Sequence, residues 1–226
     1  IKETTDLWRT CAKEHGHPGL YLIAVNGDKE SPELQISGFD AAEEFPPRSI
    51  SPMNISSAVP GVQKSFNGGI YDYREAVSEV VKSEEPKMKT HPCVMLHWDN
   101  TARRGNDCHA FTNFRLKYYK QWLSHACHKA QKKKGVTPDE RIVFINAWNE
   151  WAEGTYLEPD QRYGYGYLES SHDVLKNFQI TAEEIALFKG HEKKNNQALI
   201  IHLHYLDVWP DLEAKIKRLQ NSYDLY

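Results

Sequence analysis

Glu150 and Glu153 stand three residues apart in the stretch from Asn146 to Pro159 (NAWNEWAEGTYLEP), the densest run of polar and aromatic side chains in the chain. In a helical or tight-turn conformation that spacing brings both carboxyl groups to one side. Two carboxyl groups around a sugar supply a general acid and a base or nucleophile, because burial and mutual repulsion drive their protonation equilibria apart. Trp148, Trp151, Tyr156, Tyr163 and Tyr165 offer flat faces for stacking on sugar rings, and Asn146 and Asn149 offer hydrogen bonds to hydroxyls. A purely structural reading stays open, in which the glutamates cap a helix and the aromatic rings fill a core. Their position directly after the apolar run RIVFINAW favours chemistry, since the C-terminal ends of strands carry the active sites of α/β barrels.

A second cluster, Trp98, Asp99, Asn100 and Arg103, follows another apolar run and is expected to face the same mouth. Its polar members suit recognition of sugar hydroxyls or an anion, with a loop-bracing Asp-Arg pair as the alternative; Trp98 is either a stacking platform or core. No metal site is expected. His125 and His128 flank Cys127, and His202 and His204 share a strand face, but neither group shows four convergent ligands. No GxGxxG or P-loop pattern appears, so no cofactor is expected.

The elements that must position these groups are legible in the hydrophobic spacing. Leu7, Trp8, Cys11 and Ala12 mark an inward helical stripe ending at Gly16, and Gly19–Asn26 reads as a strand buried on both faces. About 45 residues rich in Pro, Ser and Gly follow, a length that points to a functional or a disordered loop. Tyr73, Ala76, Val77, Val80 and Val81 share one face of a helix over 71–85, closed by Pro86. A strand over 93–98 precedes a long helix over 113–134, with Tyr119, Trp122, Leu123, Ala126 and Ala130 inward and Lys132, Lys133 and Lys134 at the end that favours cations. The strand 141–148 and a helix over 167–178 complete the series. Strands alternating with helices imply βαβ units and a parallel sheet. Three strands do not close a barrel, so the rest of the sheet is expected outside this sequence. Residues 181–197 read as a linker, and 198–226 as the first βα unit of a second α/β domain.

The 226 residues carry 28 Lys+Arg against 31 Asp+Glu, a formal net charge of -3, with 40% hydrophobic and 26% charged residues. This is globular composition and disfavours a strongly basic nucleic-acid partner. No apolar run approaches the roughly 20 residues of a transmembrane helix, and no signal sequence is visible. Cys11, Cys93, Cys108 and Cys127 lack CxxC or framework spacing, which fits a reducing, cytoplasmic location. The chain opens at Ile1, inside a helical pattern, so it is expected to be an excerpt of a longer polypeptide, inactive alone.

The tract FINAWNEWAEGTYLEPDQRYGYGYLE resembles the signature of the WbsX-like glycosyltransferases of bacterial surface-polysaccharide gene clusters, a family similar in turn to glycoside hydrolase family 99, a (β/α)8 barrel of retaining endo-mannosidases. WRTCAKEHGHPGLYLIAVN, GFDAAEEFPP and WDNTARRG match in the same order. The resemblance implies that residues 1–180 are the C-terminal part of a (β/α)8 TIM-type barrel, its last three βα units, with the N-terminal half of the barrel missing. It further implies a carbohydrate partner, oligosaccharide or polysaccharide, and a bacterial protein, cytoplasmic or peripheral to the inner membrane. The hydrolases' Glu-Trp-His-Glu-Gly motif maps onto Glu150-Trp151-Ala152-Glu153-Gly154, with Ala152 in place of His. By that resemblance Glu153 is the general acid/base, and Glu150 assists the substrate 2-hydroxyl in attacking the anomeric carbon to give a 1,2-anhydro sugar. Hydrolysis and transfer both stay open, as does a non-catalytic carbohydrate-binding or scaffold barrel fused to a transferase. ALIIHLHYLDVWPDL is similar to the start of the rhamnan-synthesis F family, which places the second domain in the same polysaccharide context.

Overall fold

Side-chain spacing governs where the helices form, and partners on neighbouring segments govern which face they bury. The computed structural model describes residues 1–26, 37–83, 89–133, 135–137 and 140–178, together with the backbone pairing of 198–199 with 224–225. The chain divides into two units, Ile1–Gln179 and Ile180–Tyr226. In the second, Ala198–Leu199 runs parallel to Asp224–Leu225. The expected linker, the helix after Pro210, His202, His204 and Pro86 lie outside the described residues.

Helix α1 (Lys2–Glu14) ends where Gly16 takes a φ of 84°, a left-handed conformation suited to glycine. The expected inward stripe is corrected. Leu7 and Trp8 are 63% and 48% exposed and Cys11 is exposed, while Thr5 and Ala12 are buried. The helix is oriented by polar anchors instead: Thr5 Oγ1 donates to the Ser37 carbonyl at 2.8 Å, and Arg9 reaches the Gly38 carbonyl at 2.9 Å and the Asp40 carboxylate at 2.8 Å.

Strand β1 (Ile23–Asn26) pairs in parallel with β2 (Ala41–Glu44), which lies inside the segment expected to be a long loop. It escaped notice because Ala-Ala-Glu-Glu has neither β-branched residues nor apolar alternation. Its strand character comes from position: Ala41 and Ala42 are fully buried, and Glu44 pairs with Lys129 at 2.9 Å. The expectation that β1 is buried on both faces also fails, since Val25 is 61% exposed. Next in the chain come β3 (Gly69–Asp72), α2 (Tyr73–Lys82), β4 (Thr90–His91) and β5 (Cys93–Met95). β4 pairs in parallel with β2, and β5 with β7 (Phe144–Asn146). Only Pro92 separates β4 from β5, and its carbonyl still accepts from Phe144 N–H at 2.9 Å. Four extended segments therefore lie side by side in chain order, all parallel, one more than the three expected.

Between β5 and β7 lie the short helix α3 (Thr101–Arg104), β6 (His109–Thr112) and the long helix α4 (Leu116–Lys132). β6 pairs in parallel with β3, a ladder that sequence spacing did not reveal. Asp72 locks this ladder to α2: its carboxylate accepts from Arg74 N–H at 2.8 Å as an N-cap and from Asn113 Nδ2 at 2.8 Å. The inward stripe of α4 is as expected, with Tyr119, Trp122, Leu123, Ala126 and Ala130 all buried. α4 packs against α5 (Gly166–Leu175), where Tyr119 Oη meets Ser171 Oγ at 2.7 Å and Ser171 donates to the Tyr167 carbonyl at 2.8 Å. Buried hydroxyls are thus paired within the aromatic core, and Tyr73 Oη likewise donates to the Met95 carbonyl at 2.7 Å. Val94, Met95 and Leu96 are fully buried, as befits a parallel strand covered on both faces. Among the described residues no helix is long and apolar enough to cross a membrane.

Candidate active site

The run after β7 folds back on itself. Asn149–Glu150 (β8) pairs antiparallel with Thr155–Tyr156 (β9) around a single 3-10 turn, Trp151–Glu153. Gly154 leaves the turn at φ 67°, and a Cβ there would sit 2.9 Å from both the backbone N and O of Asp99. That approach brings the two chemical clusters together: Asp99 N–H donates to the Glu153 carbonyl at 2.8 Å. The Glu153 carboxylate accepts from the Arg103 guanidinium on α3.

Glu153 and Arg103 open onto a cavity of about 540 Å³. The loop after β2 contributes Phe45, Arg48 and Ile50; β3 contributes Tyr71; the segment after β5 contributes Trp98, Asn100 and Arg104; β6 contributes His109 and Phe111. Loops following three neighbouring parallel strands thus converge on one hollow. Trp98 is 6% exposed, belongs to the core and also lines the cavity; its Nε1 is buried and has no hydrogen-bond partner among the described residues. Tyr71 Oη meets His109 Nδ1 at 3.0 Å with the two rings stacked, and burial pushes the Tyr71 hydroxyl above its ordinary pKa.

The remaining expected site residues are placed differently. Asp99 is exposed, and its carboxylate accepts from Thr101 N–H at 2.9 Å and from the Thr101 hydroxyl. Arg103 pairs with Glu153, so the alternative of a loop-bracing Asp99–Arg103 pair does not form. Asn100 is buried and lines the cavity, but its Oδ1 is taken by His109 N–H at 2.7 Å. Asn146 Nδ2 donates to the Pro46 carbonyl at 2.9 Å, tying the ends of β7 and β2. Glu150 and Asn149 are exposed and outside the cavity lining. Trp151, half exposed, stacks on Tyr156 with ring centroids 3.8 Å apart and donates from Nε1 to Glu158 at 2.6 Å. Burial, reinforced by the bond to Asp160, pushes the Tyr156 hydroxyl up to about 12. Glu150 stands at the N-cap of the 3-10 turn without a side-chain cap bond; Tyr156 and Tyr163 pack against the core, as the structural reading has it, while Trp148 and Tyr165 are exposed.

Residues 1–171 match the family model of glycosyltransferase WbsX. The chain belongs to the WbsX glycosyltransferase family. It is 32% identical over 211 residues to the protein WxcX of Xanthomonas campestris pv. campestris strain B100, and equally to WxcX of a second strain of that pathovar. Each match covers 93% of this chain and 29% of WxcX, so the chain spans under a third of the length of these relatives. Among solved structures, a glycoside hydrolase-like protein superposes with a TM-score of 0.48 at 14% identity, over 80% of this chain and 50% of that one.

In this WbsX-family chain the contributors that spacing alone missed are Arg48, Tyr71, Arg104 and His109. A signal was present for two of them. Arg48 lies in the Pro-rich loop whose length already suggested function, and Arg104 directly follows Arg103. Tyr71 and His109 depend on the β3–β6 ladder, which no local pattern announces. Among the described residues no group of three or more His, Cys, Asp or Glu side chains is arranged to hold a metal ion.

Proposed function

We propose that the chain supplies the acid/base side of a glycan-active site, in an enzyme of bacterial cell-surface polysaccharide assembly such as lipopolysaccharide O-antigen. The carrying observation is that Glu153 and Arg103 share a cavity with Trp98 at the C-terminal side of three neighbouring parallel strands, the position where α/β barrels do chemistry. On this reading the parallel segments β1, β2, β4–β5 and β7 are consecutive staves of a (β/α)8 barrel, the remaining staves belong to other parts of the full-length protein, and residues 198–226 open a rhamnan-synthesis F-like domain.

The chemistry follows from the family resemblance. Glu153 in its acid form protonates the departing glycosidic oxygen as the C1–O bond breaks. The 2-hydroxyl attacks C1 and yields its proton to Glu150. In the second half, ionised Glu153 takes the proton of a water or an acceptor hydroxyl as it opens the 1,2-anhydro ring, and Glu150 returns the proton to O2. Arg103 holds the Glu153 carboxyl in place, and Trp98 offers the flat wall beside it. Glu150 lies outside the cavity lining, an observation that favours the second reading, a non-catalytic carbohydrate-binding barrel fused to a transferase.

Glu150→Gln and Glu153→Gln, made separately in the full-length protein and scored by surface-polysaccharide production with folding checked by circular dichroism, decide between them. Loss of product in Glu153→Gln is the expected result. Survival of production in both variants overturns the catalytic reading.

A further inference from the structure

The cavity is built for a ligand with negative charge. Its lining includes three guanidinium groups, those of Arg48, Arg103 and Arg104, against one carboxylate, that of Glu153. Glu153 neutralises Arg103. Arg48 and Arg104 are exposed and make no ion pair among the described residues. Two guanidinium groups with no ion-pair partner among the described residues therefore border the hollow. Neutral sugar hydroxyls need none of this charge, whereas planar guanidinium forks match carboxylate and phosphate oxygens in geometry and sign.

We infer that the cavity accepts an anionic saccharide unit, its carboxylate or phosphate held by Arg48 and Arg104. The inference rests on the proposed glycan activity and names its substrate class.

Calorimetric titration of the full-length protein with trigalacturonate, its fully methyl-esterified neutral counterpart and UDP-glucose tests this. The expected result is that trigalacturonate or UDP-glucose binds at least about tenfold more tightly than the neutral ester, with affinity falling at high salt. Tighter trigalacturonate assigns the charge to a sugar carboxylate; tighter UDP-glucose assigns it to the diphosphate of an activated donor. Arg48→Gln and Arg104→Gln, both at exposed positions, are each expected to remove most of that preference. Binding of neither trigalacturonate nor UDP-glucose more tightly than the ester, or an anion preference that survives both variants, overturns the inference. The failures are separable. A protein that prefers anions yet makes polysaccharide with Gln at 153 loses only the catalytic reading. One that is inactivated by Glu153→Gln yet binds charged and neutral ligands alike loses only the anionic one.

Discussion

The Arg103 guanidinium grips the Glu153 carboxylate across a sequence separation of 50 residues, joining the segment after β5 to the turn after β7. The pair is half open to solvent, with side-chain exposures of 51% and 22%, so its worth to stability is small, under about 1 kcal/mol. Its value lies in orientation. Arg103→Met in the full-length protein is expected to leave the melting temperature nearly unchanged and to lower kcat by about tenfold or more through misplacement of the carboxyl group. Glu153→Gln is expected to lower turnover by about 10²–10⁴-fold. Full activity in both variants, measured by initial rates, would contradict the assignment.

Gly154 is a position where no other residue fits. It combines a φ of 67° with the Asp99 backbone 2.9 Å from where a Cβ would be. Gly154→Ala is expected to destabilise by about 1–3 kcal/mol from strain alone, read as a lowered denaturation midpoint, and to cost activity as well by pushing Glu153 from Asp99.

His91 links stability to pH. Burial, aided by the charges of Lys133 and Lys89, lowers its pKa from 6.5 to about 4, and Tyr21 Oη meets its Nε2 at 3.0 Å. The unfolded chain therefore binds the His91 proton first as pH falls. The contribution is fully present above about pH 6.5 and is lost progressively between there and about pH 4, with a magnitude up to about 3 kcal/mol. Denaturant midpoints at pH 7.5, 5.5 and 4.5, compared with His91→Gln, should show a steeper acid-side decline in the parent protein. Parallel declines would remove His91 as the source.

Trp151 presents a half-exposed ring stacked on Tyr156. Trp151→Ala is expected to raise KM by about fivefold, the worth of one aromatic contact of about 1 kcal/mol, with kcat little changed. An unaltered KM would assign the stack to supporting the β8–β9 hairpin alone.

Helices and apolar strands were legible because packing repeats along them. The stripe of α4 and the face of α2 follow directly from residue periodicity. The departures share one physical origin, in that partners distant in sequence override local pattern. α1 turns Leu7 and Trp8 outward because Thr5 and Arg9 anchor it to the turn at 37–40. β2 is a strand because Ala41 and Ala42 are the size its buried place allows, not because Ala and Glu favour extension. Residue type drew attention to Glu153, Arg103 and Trp98, which line one cavity, while Asn100 Oδ1 and Asn146 Nδ2 bond to backbone. Tyr71 and His109 reach the cavity through the β3–β6 pairing, which only the folded chain displays.

The parallel ladder between β3 and β6 has a thermodynamic consequence. It fixes Tyr71, His109 and Phe111 by backbone hydrogen bonds, so this wall of the cavity is already ordered before any ligand arrives. Little conformational entropy is left to lose there on association, and affinity at this wall reflects contacts made, without a folding cost deducted from them.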